Sequence, residues 1–161
     1  MENTEIKKAA LTFLTEPEQL TAVIGSCATD GDMHVATVYY YVDNDFCFYF
    51  LTATNTQKYK NLLENPNAAI VVGFGPSYTT IQGRGTTQLL TKSSKEENEA
   101  IAHIKNRLQE HANETWPIFQ LDRYDSESIA VFKFLPDTLQ LLNLEDSGDL
   151  VLTTENILQI L

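Results

Sequence analysis

The chain has 161 residues, of which 43% are hydrophobic and 20% are charged, proportions typical of a soluble globular protein. This length suits one domain with a substantial core. The net charge of −11 excludes a nucleic acid as partner, because 11 basic residues against 22 acidic ones cannot neutralise a run of phosphates. It equally disfavours an anionic membrane surface. The few Lys and Arg residues are therefore informative where they lie beside backbone donors.

The cysteines and the N-terminus indicate the compartment. Cys27 and Cys47 lie inside apolar strand patterns and form no Cys-x-x-Cys pair, which predicts two buried, reduced thiols. The first eight residues contain no apolar signal core, and no apolar run reaches membrane-spanning length. We therefore expect a cytoplasmic protein that does not associate with membranes.

The first elements are a helix and a hairpin. Helical spacing of apolar residues predicts an amphipathic helix over residues 4–15, with its buried positions at Ile6, Ala10, Phe13 and Leu14. A short apolar strand is predicted at 20–28, followed by a tight turn at 29–32.

The next two strands, at 35–42 and 46–52, are apolar on both faces. A half-exposed hairpin would alternate with polar residues, so each face of this one needs a cover. The interior of a barrel covers one face, and we expect a second copy of the protein to cover the other.

A short helix is predicted at about 55–64, ending before Asn65-Pro66. Thr54 and Gln57 fit a capping box at its start, and Tyr59, Leu62 and Leu63 are its predicted buried face. Strands follow at 68–74 and 78–90. Gly83 and Gly85 interrupt the second one, which suggests a bulge or a close backbone approach.

The last third of the chain returns to a helix at 94–112, with a second capping box at Ser94 and Glu97. An apolar cluster at 116–119, around Trp116, is predicted to pack near an interface or a cofactor cleft, or else to plug the barrel rim. Strands are predicted at 129–135 and 139–144, the second as continuation or partner of the first, and the tail at 145–161 as a short element that packs back. These elements predict a small closed barrel with peripheral helices, with a flattened sandwich as the alternative.

The start of the short helix is the best candidate for a ligand-binding site. A helix N-terminus carries free N–H groups and a positive dipole end, so it attracts an anion such as phosphate. Hydroxyls at Thr52, Thr54 and Thr56 add donors, and Lys58 adds a full charge that the dipole otherwise disfavours. The alternative is a solvated Lys beside an ordinary threonine cap. Because His103 and His111 are eight residues apart and His34 stands alone, we expect no metal site.

Five segments together resemble the pyridoxamine 5′-phosphate oxidase-like, FMN-binding split-barrel proteins. They are HVATVYY at 34–40, FYFLT at 48–52, T-x-K-x-K-N-L-x-x-N-P at 56–66, IQGxG at 81–85 and V-x-x-x-x-P-x-x-L at 131–139. The resemblance covers about residues 20–144. It implies a mainly β single domain over 1–161, built as a six-stranded split β-barrel with peripheral helices.

The resemblance also implies a homodimer with two FMN sites at its interface. Thr52 and Lys58 match positions that hold the phosphate and ribityl chain, and the backbone of Ala36, Thr37 and Val38 matches the strand that lines the flavin ring. The other cofactor-binding positions expected here are Thr54, Tyr78 and Gln82.

The chain departs from the true oxidases at three places. Gln57 stands where they carry a second phosphate-binding Arg, and Tyr78 where they use a Gln near the flavin. Their Arg-rich C-terminal segment, which grips the vitamin B6 substrate, is absent from the tail. The resemblance therefore implies a short-form relative that is not a vitamin B6 oxidase.

Three functions fit these observations. The first is an FMN-dependent oxidoreductase of unknown substrate and electron donor, with the redox chemistry supplied by the flavin. The second is a non-catalytic protein that binds flavin, haem or a related planar ligand. The third is a cofactor-free dimeric scaffold.

Overall fold

The computed structural model of the protein describes residues 3–73, 79–110, 126–143 and 157–161. Its helices are α1 (Asn3–Thr15), α2 (Gln57–Glu64) and α3 (Lys95–Glu110), with a short 3₁₀ turn at Ser126–Ser128. Its strands are β1 (Thr21–Cys27), β2 (Met33–Val42), β3 (Phe48–Ala53), β4 (Asn67–Val72), β5 (Thr79–Leu89), β6 (Ile129–Asn143) and β7 (Ile157–Gln159). The cluster predicted at 116–119 and Tyr78 lie outside the described residues.

The strands form one antiparallel sheet that closes on itself. Their order is β3-β2-β1-β4-β5-β6, and β6 also pairs with β3, which closes a six-stranded barrel. The first half of β6 pairs with β3, and its second half pairs on that side with β7. The predicted six-stranded split barrel is confirmed, because closure through β3 and β6 is incompatible with two packed open sheets.

The Gly83-x-Gly85 segment lies at a bulge, as predicted. The register between β5 and β6 shifts between Arg84 and Gly85, and Asp137 is the extra residue on β6. A Cβ at Gly85 would collide with the carbonyl oxygen of Leu135 and lie 2.7 Å from Cα of Pro136. Only glycine permits this approach, and the bulge lets β6 continue as one strand through Pro136.

The predicted packing of α1 is confirmed, since its four apolar positions are all buried in the barrel core. Helix α3 buries Ala100, Ile104 and Leu108 and leaves Ile101 half-buried. Among the described residues, no helix is long and apolar enough to cross a membrane.

The outer face of the β2–β3 hairpin is covered in part by α3 of the same chain. The rings of Tyr41 and His103 stack with centroids 4.2 Å apart, and Tyr49 packs with Ala100 in a second apolar cluster. At the far end of β2, Met33 and Val35 remain 76% and 64% exposed. In this hairpin, the large apolar side chains that α3 leaves exposed are therefore at the start of β2.

The burial predicted for the two thiols is wrong. Cys27 and Cys47 are both free and half-exposed. Cys27 lies on the outward face of β1, whereas Cys47 comes just before β3 and packs only at the edge of the α3 cluster.

Candidate functional site

The barrel splits between β2 and β3. These strands pair only at Tyr40–Val42 with Phe48–Phe50, so residues 33–39 of β2 have a strand partner on the β1 side alone among the described elements. The N–H of Tyr40 donates to the carbonyl oxygen of Leu20, on the β1 side, at 3.4 Å. Because backbone groups alternate between the two sides of a strand, those of Thr37 face the split. This free edge can accept the hydrogen bonds of a ligand.

The predicted ring-lining residues lie along this edge. Ala36 is half-buried, Thr37 is exposed and Val38 is 4% exposed. The split therefore offers backbone and small side chains to a planar ligand, with the apolar core behind them.

Helix α2 follows β3 directly, and its cap differs from the predicted one. The helix begins at Gln57, and Thr56 is its N-cap, with its hydroxyl accepting from the N–H of Tyr59 at 3.2 Å. Thr54 instead donates its N–H to the carbonyl oxygen of Ser128 at 2.9 Å. The contact with the 3₁₀ turn holds Thr54 outside the helix, so the capping box predicted from Thr54 and Gln57 is wrong.

The three threonine hydroxyls already have internal partners. Thr56 donates to the carbonyl oxygen of Ala53 at 2.8 Å, and its oxygen lies 3.0 Å from that of Thr52. The hydroxyl of Thr54 lies 3.4 Å from the carbonyl oxygen of Ser128. Within the described residues, the donors still open at this helix end are the N–H groups of Gln57 and Lys58.

The side chain of Lys58 is largely buried and has no ion-pair partner among the residues that the structure describes. Its residue is 8% exposed, and no carboxylate of the described residues lies within ion-pair distance of its ammonium. Burial lowers the pKa of Lys58, and no other group contributes to the shift. No buried side-chain nitrogen or oxygen of the described residues lacks a hydrogen-bond partner, so the ammonium itself reaches solvent. A largely buried lysine without a carboxylate partner among the described residues is a candidate site for an external anion in this acidic chain.

The buried face of α2 was only partly predicted. Leu62 is buried and Tyr59 packs at the core edge, but Leu63 is 52% exposed. The positions that face inward with Leu62 are instead Lys58 and Asn61, the latter 1% exposed. Lys58 and Asn61 are three residues apart and share a helix face with Leu62. This spacing of two polar residues beside a buried leucine is the sequence signal that would have predicted the burial of Asn61.

Asn61 connects α2 to the barrel. Its oxygen accepts from the side-chain amide of Gln57 at 2.8 Å, and its nitrogen donates to the hydroxyl of Ser26 at 3.4 Å. Ser26 is an inward-facing residue of β1. Helix α2 thus packs into the opening that the divergence of β2 and β3 leaves.

Gln82 lies away from the split in this chain. It is exposed on β5, in the cross-strand row that runs through Val71 and Val23 to Thr37. Three strand spacings separate it from Thr37, about 14 Å. Gln82 therefore does not lie beside Thr37 at the split.

A family model described as pyridoxamine 5′-phosphate oxidase matches residues 6–143. The chain belongs to this family. The match spans the barrel and all three helices, including the split and α2. A search of curated protein sequences finds no match to the chain.

Several solved structures are similar to this chain in fold. General Stress Protein 26 from Bacillus anthracis is 20% identical, with a TM-score of 0.62 over 85% of this chain and 93% of that one. A pyridoxamine 5′-phosphate oxidase-related, FMN-binding protein from Nostoc punctiforme is 15% identical, with a TM-score of 0.61 over 87% and 84%. The haem storage protein HutZ from Vibrio cholerae is 16% identical, with a TM-score of 0.65 over 87% and 92%.

The described residues contain no group of three or more His, Cys, Asp or Glu side chains placed to hold a metal ion. The polar side chains described at the start of α2 are hydroxyls, amides and one ammonium. Such a set suits the binding and orientation of an anionic group.

Proposed function

We propose that the protein binds FMN at the split and acts in the cytoplasm as an FMN-dependent oxidoreductase. The phosphate lies at the N-terminus of α2 against Lys58, and the ring lies along the free edge of β2. The observation that carries this proposal is the burial of the Lys58 side chain without a carboxylate partner among the described residues. Family membership supports it, since a relative of the same fold is FMN-binding by its name.

The chain's residues fit the phosphate end of the cofactor. The open N–H groups of Gln57 and Lys58 point out of the helix end, where the dipole favours negative charge. The ammonium of Lys58 supplies a charge-assisted hydrogen bond, which is about twice as strong as a neutral one. Its partial burial excludes water and strengthens the attraction.

The free edge of β2 fits the ring. Thr37 presents its N–H and carbonyl oxygen toward the split, and these can pair with the polar edge of the ring. The small side chain of Ala36 leaves room for close approach. When bound, FMN supplies the electron transfer, while the protein supplies position, charge and a dry surface.

A homodimer forms part of the proposal. The exposed start of β2, with Met33 and Val35, adjoins Gly25 and Ala69 on the neighbouring strands, so the outward face there is small and apolar. A second copy would cover it, with an interface of roughly 2,000 Å² or more for an obligate pair. Light scattering at micromolar concentration tests this, and a monomer mass would overturn it.

The experiment that tests cofactor binding is the absorption spectrum of the purified protein, followed by titration with FMN and riboflavin. A yellow protein, or one that binds FMN much more tightly than riboflavin, supports the proposal. Turnover of a reduced nicotinamide or deazaflavin donor with an acceptor then tests the oxidoreductase activity. Failure to bind either flavin would overturn the assignment.

The second candidate is a non-catalytic binding protein for flavin or haem. It is favoured because, apart from Lys58, the polar side chains described at the start of α2 are hydroxyls and amides, which are poor acids and bases and are engaged in internal hydrogen bonds. Retention of ligand without turnover of any donor would support this function over the first.

A further inference from the structure

Asn61 lies between the two halves of the proposed site and is almost fully buried, at 1% exposure. Its oxygen accepts from Gln57, the first residue of α2, at 2.8 Å. Its nitrogen donates to Ser26 at 3.4 Å, and the hydroxyl of Ser26 lies 3.5 Å from the carbonyl oxygen of His34 on β2. A continuous polar chain therefore runs from the start of α2, through β1, to the split-facing strand.

This series of hydrogen bonds fixes the position of α2 along its axis and its rotation about that axis. A buried amide that loses a partner carries an unsatisfied polar group, so the arrangement has little freedom. The helix start carries the proposed anion subsite, and β2 carries the proposed ring subsite three residues beyond His34. Whatever fixes α2 against β2 also fixes the distance between the two subsites.

We propose that Asn61 is a positioning residue that sets this distance and thereby selects ligands whose anionic group is tethered to the ring at one length. The inference rests on the proposed function. Asn61 contacts neither subsite and acts through Gln57 and Ser26. Gln57, the neutral residue in place of a second cation, serves here to hold the helix start, since its amide is engaged with Asn61.

Asn61→Leu tests the inference, since it keeps the branched shape of the side chain and removes both hydrogen bonds. FMN uses both subsites, whereas riboflavin uses only the ring subsite. We expect FMN affinity to fall about tenfold and riboflavin affinity to change by less than about twofold, the loss that one well-formed hydrogen bond implies. Fluorescence titration of both flavins measures the ratio of the two affinities, which a merely structural role would leave unchanged.

A second arm removes the same link from its other end. Gln57→Met should lower FMN affinity about as much as Asn61→Leu, and the double variant should lose little more than either single one. Ser94→Ala is the matched control. It removes the cap of α3, far from α2, and destabilises the fold without changing the hydrogen bonds of Asn61. Its ratio of FMN to riboflavin affinity should equal that of the wild type.

Three results would overturn the inference: parallel losses of FMN and riboflavin in Asn61→Leu, additive losses in the double variant, or no loss at all. A wild type that binds neither flavin is a different result, because it overturns the proposed function and the inference with it. A wild type that prefers FMN and an Asn61→Leu variant with the same preference refutes the role of Asn61 alone.

Discussion

Helices α2 and α3 begin in the same way but carry opposite charge. Thr56 caps α2 by accepting from the N–H three residues on, and Ser94 does the same for α3 at 3.1 Å. The first turn of α3 holds Glu96 and Glu97, whereas that of α2 holds no acidic residue and has Lys58 instead. The backbone favours an anion at both ends.

The difference lies in where that anion comes from. Glu97 is 2% exposed, accepts from the N–H of Ser93 at 2.6 Å and pairs with Lys92 at 3.6 Å. Glu96 pairs with Lys133 at 2.9 Å. The start of α3 is thus satisfied by its own chain, while the start of α2 combines a positive end with a second positive charge. No carboxylate of the described residues completes it, and we propose that an external anion does.

The largest expected effect is on FMN binding when Lys58 is removed. Lys58→Ala should weaken FMN binding by about ten- to a hundredfold, because charge-assisted contacts contribute on the order of 1.5–3 kcal/mol. Riboflavin lacks the phosphate, so its affinity should barely change. Titration of both flavins measures the two losses.

Lys60→Ala is the matched control for that experiment. Lys60 is in the same helix but exposed, so FMN affinity should stay within about twofold, as screening of exposed charges implies. Equal losses of FMN and riboflavin in Lys58→Ala would mean that Lys58 acts through structure. No loss of either would put the phosphate elsewhere.

The next expected effect is on the free energy of unfolding, which should respond differently to substitutions at the starts of α2 and α3. Glu97→Ala should lower the free energy of unfolding by about 2 kcal/mol, because it removes a buried charge-assisted bond and leaves the N–H of Ser93 unpaired. Lys58→Met should leave the stability of the ligand-free protein unchanged or raise it, since it removes a buried charge that has no partner. Urea unfolding measures both.

The exposed pair of Lys95 and Glu99, 3.6 Å apart, provides the control for that comparison. Glu99→Ala should change the free energy of unfolding by less than about 0.5 kcal/mol. If Lys58→Met destabilised the ligand-free protein as much as Glu97→Ala does, the start of α2 would be closed internally like that of α3.

The sequence predicted the elements better than their polar contacts. Apolar periodicity located α1 and its four buried residues, because hydrophobic burial leaves a direct pattern. The apolar pattern left a closed barrel and a flattened sandwich open, because strand periodicity identifies faces but not partners. The family resemblance favoured the split barrel, which the pairing of β6 with β3 confirms.

The site was harder to predict because its buried residues are polar. The usual rule assigned Leu63 to the inside of α2, whereas Lys58 and Asn61 are there and Leu63 is exposed. Three threonines at alternate positions also made the N-cap of α2 ambiguous. Thr54 contacts Ser128, which is distant in sequence, and Thr56 is therefore the N-cap. Long-range contacts of this kind leave no local pattern.

A smaller effect is expected when α2 receives a second cation. Gln57→Arg should tighten FMN about fivefold, because the guanidinium can donate to the phosphate with one edge and to Asn61 with another N–H. Riboflavin affinity should stay constant. Titration of both flavins measures the change, and Gln57→Met, which adds no charge and removes the bond to Asn61, should instead weaken FMN binding. Weaker FMN binding in Gln57→Arg would mean that the phosphate does not approach residue 57.

The smallest effect is on the pH dependence of ligand-free stability. Burial lowers the pKa of Lys58 below its usual 10.5, so the folded state binds fewer protons than the unfolded state in that interval. Stability therefore rises as the pH increases toward 10.5. Beside α3, burial and the neighbouring carboxylates of Glu96 and Asp43 raise the pKa of Tyr49 from 10.0 to about 12, so this residue has the opposite effect. Its contribution is present below pH 10.0 and is lost as the pH rises toward about 12.

The two variants that isolate these contributions are Lys58→Met and Tyr49→Phe. Urea midpoints measured from about pH 8 to about pH 11 should fall earlier in Lys58→Met than in the wild type, and less steeply in Tyr49→Phe. Other tyrosines titrate in the same window, but they are common to all three proteins and cancel in the differences. Saturating FMN should abolish the Lys58 contribution in the wild type, because a bound phosphate stabilises the charged ammonium and raises its pKa again. A Lys58→Met curve parallel to that of the wild type, with and without FMN, would show that the ammonium of Lys58 is solvated, and the contrast between α2 and α3 would then be one of sequence alone.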